Sequence, residues 1–194
     1  MIHQSFINVL GQPKKISDIN ILQVKNTFSE QLSHFKDSNI LLEYLEHYGV
    51  ALFQDGFIAF INPMEYEIPL KMFPKLRNQS IMPFAKTPMG NFFLIGEVDD
   101  LHCLAFYNIQ TEEYLYVDDE FDLFFSSLAG SKYFRETDCY GAIEIPALQK
   151  HGAVAIDECL TFIPALVYGG DEDNNNIQKV NLNETIQTLA KAFS

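Results

Sequence analysis

The stretch that decides the fold reads YGVALFQDGFIAFINPMEY and spans residues 48–66. Its Tyr48-Gly49 start predicts the end of a helix, because glycine takes the left-handed conformation that follows a last helical turn. Gln54-Asp55-Gly56 is typical of a turn, and the apolar segment Phe57–Ile61 behind it predicts a buried strand. Asn62-Pro63 ends that strand, because proline has no N–H to donate to a neighbouring strand. The stretch therefore predicts a helix, a turn and a strand in series, and it holds no obvious catalytic group.

Helical spacing of apolar residues continues on both sides of this stretch. Before it, an apolar face predicts one helix through Val24, Phe28, Leu32 and Phe35, and a second helix begins with Ser38 as N-cap. After it, helices are expected from Asp118 or Asp119 to Gly130, between Cys139 and Lys150, and at the C-terminus. Asn181 and Glu184 give this last helix the pattern of a capping box.

Three apolar segments joined by short polar connections predict an antiparallel meander: Asn91–Glu97, Leu101–Tyr107 and Glu113–Val117. A buried turn and strand within Glu158–Tyr168 and a short strand at Ile177–Val180 complete the pattern. No repeat, low-complexity tract or linker divides the chain. We therefore expect an α+β fold in one compact domain, with a mostly antiparallel sheet flanked by helices over residues 1–194. The N-terminal part, about residues 1–50, is expected to be helical and to share one core with the remainder.

Composition limits the classes of partner. Of 194 residues 47% are hydrophobic, including 17 Phe, which is enough apolar material for a sizeable core. The net charge of −13 opposes direct binding to nucleic acid or to an anionic membrane surface, and it favours a basic protein partner. The alternative is that the acidity serves only solubility.

The N-terminus shows no secretory signal pattern, and the longest apolar run, Leu160–Tyr168, is too short to span a bilayer. The three cysteines, Cys103, Cys139 and Cys159, form no CxxC pair. Reduced thiols and a cytoplasmic location are the simplest expectation.

Three segments resemble the GAD-like proteins, many of which are Tdi-type immunity proteins of type VI secretion systems. LLEYLEHYGVALFQDGFIAFINPMEY, residues 41–66, is similar to the family pattern YGxGxFxxGxFxxxNPxEY. MPFAKTPMGNFFLIG, residues 82–96, resembles a family strand entry, and residues 151–193 resemble GxLxxDExxxFxPALxxGG and a closing helix. The chain departs from the family where Tyr44, Leu94 and Ile95 stand in regions that usually carry tryptophan.

This resemblance implies an antitoxin-like cytoplasmic protein that binds a cognate effector toxin, such as a nuclease. It carries over no catalytic residue, no cofactor and no metal ligand. The departures keep aromatic or apolar character, so they affect the expected fold little and bear mainly on which partner is recognised.

Acidic residues are concentrated in Glu97–Asp122, where 9 of 26 residues are Asp or Glu and none is Lys or Arg. Such a surface would attract the Lys and Arg side chains of a toxin's substrate groove. The alternative is a solvated sheet end followed by a helix N-terminus, where acidic residues are favoured in any case. The predicted partner-binding residues from this segment are Asp99, Asp100, Glu112, Glu113, Asp118, Asp119, Glu120 and Asp122.

A second acidic loop, Gly169–Asn176, adds Asp171, Glu172 and Asp173 to the predicted partner-binding residues. It fails the calcium-loop pattern, because Asn176 and Leu182 stand where glycine and glutamate are needed. No nucleophile, metal-ligand or phosphate-loop spacing occurs elsewhere. Two alternatives to an immunity protein stay open: a regulatory scaffold for an endogenous protein, and a carboxylate-dependent hydrolase with its site near Asp171 or near Glu65 and Glu67.

Overall fold

The fold is seen in a computed structural model that describes residues 2–98, 100–129, 131, 133–138 and 141–194. Seven antiparallel strands form one sheet in chain order. They are β1 (Lys14–Ser17), β2 (Val50–Phe53), β3 (Ile58–Phe60), β4 (Ile81–Lys86), β5 (Phe92–Val98), β6 (Leu101–Asn108) and β7 (Glu113–Asp118). A separate antiparallel pair joins β8 (Glu158–Phe162) to β9 (Ile177–Asn181).

Eight α-helices accompany the strands within the described ranges. They are α1 (Gln4–Leu10), α2 (Ile21–Thr27), α3 (Ser29–Ser33), α4 (Ser38–Tyr48), α5 (Pro63–Leu70), α6 (Phe121–Leu123), α7 (Gly141–His151) and α8 (Leu182–Ala192). Single π-helical turns follow at Phe124–Leu128 and Phe134–Asp138, and 3₁₀ turns lie at Gln54–Gly56, Leu166–Tyr168 and Asn174–Asn176. The predicted α+β class, with an antiparallel sheet flanked by helices, is confirmed. That residues 1–194 act as a single domain stays a prediction.

The central strands are buried on both faces of the sheet. Successive side chains of a strand point to opposite faces, so each strand contributes to two separate clusters. Phe93 and Phe106 pair across β5 and β6 with ring centroids 5.2 Å apart, and they face α1–α4 and α6. Phe92 and Tyr107 point to the opposite face, which packs against α5 and α8. Each face of the sheet thus has its own hydrophobic cluster.

Two glycines of the 48–66 stretch allow close backbone contacts. Gly49 has φ 65° and ψ −149°, and a Cβ placed there would lie 2.1 Å from the Ser17 carbonyl oxygen. Gly56 has φ 98°, and its Cβ would lie 2.6 Å from the Val154 carbonyl oxygen. Only glycine fits either position, so the stretch fixes both the β1–β2 pairing and the segment that leads into β8.

Several predicted helix details are corrected. Val24, Phe28, Leu32 and Phe35 are all buried as one face predicts, but the helix breaks at Phe28, which has φ −108° and ψ 28°. Ser38 is the first residue of α4 rather than its N-cap, which is Asp37. Glu120, rather than either aspartate before it, is the N-cap of α6.

Other predictions hold within a residue or two. The three meander strands are confirmed, and Asn181 is the N-cap of α8, where its side chain accepts the Glu184 N–H at 3.1 Å. The predicted strand Phe57–Ile61 is one residue shorter at each end. The predicted helix end at Gly130 and helix start at Cys139 lie outside the described residues. Five elements were not predicted: α1, β1, β2, α5 and β4.

One pair of ionisable side chains is buried where α7 packs near the end of β4. Lys86 is 1% exposed and donates to the carbonyl oxygens of Ala155 and Glu158 at 3.3 and 2.8 Å. Glu144 is 0% exposed and accepts the Met89 N–H at 3.3 Å. Burial lowers the pKa of Lys86 to about 8 and raises the pKa of Glu144 to about 8. Neither group reaches solvent, so this pair belongs to the core.

We expect Gly49→Ala to destabilise the protein more than Gly11→Ala. Gly11 has a similar backbone (φ 73°, ψ −174°), but a Cβ placed there would have no other atom within 4 Å. Both substitutions incur the backbone cost of about 1–3 kcal/mol, and only Gly49→Ala adds the collision with Ser17. Urea unfolding of the two variants measures the difference, and equal losses of stability would contradict the close contact.

The buried pair predicts a stability that depends on pH. Between the unfolded pKa of Glu144, near 4.5, and its folded pKa of about 8, the folded state keeps a proton that the unfolded state releases. Stability therefore falls as pH rises through this window, by at most about 1.4 kcal/mol per pH unit for one proton. Lys86 has the opposite effect above about pH 8, where the folded state has released its proton and the unfolded state has not.

Glu144→Gln keeps an acceptor for the Met89 N–H and removes the ionisation. We expect this variant to lose the fall in stability between about pH 5 and pH 8 relative to the wild type, while the rise above pH 8 remains. The measurement is urea unfolding from pH 5 to pH 10. Lys86→Met is the matched control, because it should remove the rise and keep the fall. Parallel curves for all three proteins would contradict the shifted pKa values.

Candidate protein-binding surface

The acidic segment, residues 97–122, runs from the end of β5 through β6 and β7 to the start of α6. Asp100 lies exposed in the β5–β6 turn with φ 63°, a conformation that aspartate adopts more readily than most residues. Glu113 begins β7 and Asp118 ends it. Asp99, which was predicted to bind beside them, lies outside the described residues.

The strand register divides this segment into two groups. Asp118 pairs with Leu104 on β6, whereas Glu113 pairs with Asn108 at the far end of the same strand. At about 3.3 Å per residue, the four steps from Leu104 to Asn108 place Asp118 and Glu113 about 13 Å apart along the strand direction. Residues that are close in the sequence thus lie at opposite ends of β7.

Glu112 has a structural contact that the sequence does not indicate. It is 7% exposed with φ 57°, and its carboxylate accepts the Lys75 backbone N–H at 2.7 Å. The neighbouring Glu113 is exposed and accepts only the Thr111 hydroxyl, at 3.1 Å, among the side-chain contacts of the described chain. Of these two glutamates, Glu113 presents its charge to solvent.

At the other end, the acids are partly engaged in local contacts. Asp118 accepts the N–H groups of Asp119 and Glu120 at 2.8 and 3.0 Å. Glu120 forms an ion pair with Lys36, and Asp122 Oδ1 lies 3.1 Å from His3 Nε2. Asp119 is exposed. These contacts tie the segment to α1 and to the start of α4, and they leave Asp119 directed to solvent.

The second acidic loop lies elsewhere, beside the β8–β9 pair. Asp171, Glu172 and Asp173 are exposed, and Asp173 accepts the Asn175 N–H at 2.8 Å. Tyr168, the residue before this loop, lines a cleft of about 270 Å³ together with Glu184, whereas the three acids are not part of the lining. The two acidic surfaces therefore belong to different parts of the fold, and no contact between described residues brings them together.

Strand β7 also exposes apolar side chains. Leu115 is 41% exposed and Tyr116 is 51% exposed, and they point to opposite faces of the sheet. This exposure follows from the position of β7 at the end of the sheet, which the sequence pattern does not reveal. Residues 113–119 have acidic ends and an apolar middle, and we call them the β7 edge.

The residues considered for chemistry are not assembled into a site. Glu65 and Glu67 would share a face only in an extended segment, but they lie on α5, where Glu67 pairs with Lys71 at 2.7 Å. His34 and His102 stack with ring centroids 3.4 Å apart. Across the part of the chain that is described, no group of three or more His, Cys, Asp or Glu side chains is arranged to hold a metal ion.

In the described ranges, no helix combines the length and the apolar character that crossing a bilayer requires.

Comparison with known proteins gives one family and one similar fold. Residues 118–191 match the family model described as "T6SS immunity protein Tdi1, C-terminal". A solved structure, "Crystal structure of Atu4351 from Agrobacterium tumefaciens", aligns with a TM-score of 0.68 at 12% identity, covering 97% of this chain and 88% of that one. At this identity the alignment shows the fold alone. No curated protein matches the chain.

The family match covers one of the three segments on which the sequence resemblance depends. It contains nearly all of residues 151–193, and it begins at Asp118, at the end of the β7 edge. The segments at 41–66 and 82–96 lie outside it. The resemblance to Tdi-type immunity proteins of type VI secretion systems is thus confirmed, on the match of residues 118–191.

Proposed function

We propose that this protein is a cytoplasmic immunity protein that binds and neutralises a cognate secreted effector through protein–protein contact, without catalysis of its own. The observation that carries the proposal is the match of residues 118–191 to the type VI secretion immunity family. An immunity protein acts by binding its effector, so its functional surface is a docking surface rather than an active site.

The charge of the molecule supports a basic partner. The net charge is −13, and exposed acids occur at both ends of the β7 edge and in the 171–173 loop. A nuclease effector must present Lys or Arg to phosphate, so an acidic surface competes for the same groove. The same charge opposes binding to nucleic acid or to an anionic membrane by this protein itself.

The hydrolase alternative gains no support from the geometry. Glu67 is paired with Lys71, and the ionisable pair Lys86 and Glu144 is closed to solvent. The scaffold alternative predicts the same kind of surface but a different partner. The test partner is therefore a secreted toxin encoded next to this gene, which the immunity proposal predicts to be present, because only the immunity proposal requires that such a toxin be neutralised.

The β7 edge should set the rate of association with the effector. We expect the double variant Glu113→Lys/Asp119→Lys to associate about ten-fold more slowly at low salt and to lose much of its salt dependence, because surface charges mainly steer encounter. Asp118 and Glu112 are left unchanged, since both accept backbone hydrogen bonds. The measurement is stopped-flow or biosensor kinetics at low and high salt, together with protection of cells from the toxin.

A matched control has the same change in net charge at the other acidic surface. Asp171→Lys/Glu172→Lys alters two exposed acids and spares Asp173, which accepts a backbone N–H. If this variant slows association and the β7 variant does not, the binding face lies beside the 270 Å³ cleft instead. If neither variant changes kinetics or protection, the acidity serves solubility only.

A further inference from the structure

The sheet has two edge strands of contrasting character. β1, at one end, carries Lys14 and Lys15 and has a register irregularity between Lys15 and Ser17. Lysines and irregularities are the usual means by which edge strands avoid pairing with other chains. β7, at the other end, has the sequence EYLYVD, with neither lysine nor proline. It also has a register irregularity, where Val117 is the extra residue opposite Leu104 and Ala105, so the two edges differ in lysine content and not in regularity.

The composition of β7 favours pairing. Three of its middle four residues, Tyr114, Tyr116 and Val117, are aromatic or β-branched, the types that are most enriched in strands, and the fourth is Leu115. Leu115 and Tyr116 remain substantially exposed, at 41% and 51%. Six residues of strand are about the usual length of a strand in a sheet, so a partner segment of similar length could pair with β7, regularly along residues 113–116 and across the irregularity at Val117 up to Asp118.

The acids at the two ends of β7 discriminate between partners. If two copies paired antiparallel about the centre of the strand, Glu113 of one copy would lie opposite Asp118 of the other, twice. Like charges directly opposite each other in a sheet are destabilising. A segment with Lys or Arg at those positions would instead form an opposite-charge pair at each end.

Two lysines approach this edge without cancelling its charge. Lys36 forms its ion pair with Glu120, and Lys75 Nζ lies 5.8 Å from the centroid of the Tyr114 ring. Among the described residues, no basic group lies within ion-pair distance of Glu113, Asp118 or Asp119.

We infer that the β7 edge binds an extended segment of the effector by strand addition, and that this segment carries basic residues at both ends of an apolar stretch. The main-chain hydrogen bonds of the added strand supply affinity, and the terminal charges supply selectivity against a second copy of this chain. The inference rests on the proposed function for the identity of the partner and on the sheet geometry for the mode of binding.

The first test is hydrogen exchange of the full-length protein, alone and saturated with the neighbouring-gene toxin. We expect amides within residues 113–118 to exchange at least ten-fold more slowly in the complex. A saturated complex with unchanged exchange in this segment would overturn strand addition and leave the proposed function standing.

The second test uses peptides in place of the toxin, and its result is read together with that of the first test. One capped six-residue peptide has lysine at both ends and alternating valine and threonine between them, and its matched control has glutamate at both ends. We expect the lysine peptide alone to slow exchange within residues 113–118. Equal effects of the two peptides would overturn the charge selectivity. Protection by the lysine peptide together with no binding of the toxin would reject the proposed function and keep the strand site.

Proline substitution separates backbone pairing from side-chain contact. Leu115 and Tyr116 are adjacent, so the N–H of one points towards β6 and the N–H of the other points outward. Of the variants Leu115→Pro and Tyr116→Pro, the one that has lost the outward N–H should keep a wild-type unfolding transition, because its bonds to β6 are intact. We expect this folded variant to bind the toxin at least ten-fold more weakly. Threonine at the same position is the control, because it replaces the Leu or Tyr side chain, as proline does, but keeps the backbone N–H. Equal binding by the folded proline variant and the wild type would overturn the inference.

Discussion

Burial of both faces of β4, β5 and β6 is the constraint on which the rest of the structure depends. A strand covered on both sides must be apolar almost throughout, and the helices on each face must present an apolar stripe to it. Nearly all of the side chains on these strands are buried, and the exceptions cluster at the β5–β6 turn. Charged groups are thereby excluded from the middle of the sheet, so the acids of the 97–122 segment occur at turns, at strand ends and on the edge strand. Lys86, the last residue of β4, is an exception, and Glu144 is buried near it on α7; the shifted pKa values of both reflect the cost of that burial.

Local patterns were sufficient to predict much of this fold. The β5–β7 meander and helix α8 follow from side-chain periodicity and from the cap at Asn181, all of which are short-range signals. β4 was missed because Pro83 argues against a central strand, and the sheet accommodates it at a register irregularity between Pro83 and Ala85. β1 was missed because its four residues are all exposed and show no alternation of polar and apolar positions.

The candidate surface could be predicted only in part, since strand pairing decides which residues meet. Composition identified Asp100, Glu113 and Asp119 as charged and exposed, but the pairing of Asp118 with Leu104 and of Glu113 with Asn108 separates them into two groups. Glu112 is adjacent to Glu113 in the sequence and yet is buried by its contact with Lys75. That β7 is the last strand of the sheet depends on the order of all seven strands, so no local pattern could have revealed it. The same holds for Lys86 and Glu144, which are brought near each other by the packing of α7.

The two edge strands of the sheet, β1 and β7, differ in how they avoid pairing with unwanted strands. An exposed edge with strand-forming residues is a hazard, since any free strand in the cell could pair with it. Lysines reduce this hazard at β1, but lysines at β7 would repel the basic segment that we propose as its partner. Acids at the ends of β7 repel a second copy of the chain, and the same acids attract a basic partner over roughly a Debye length, about 8 Å at physiological salt. In the proposed binding mode, β7 can therefore pair with its partner without pairing with a second copy of this chain. The same carboxylates attract the one and repel the other, because the two approaching strands differ in charge.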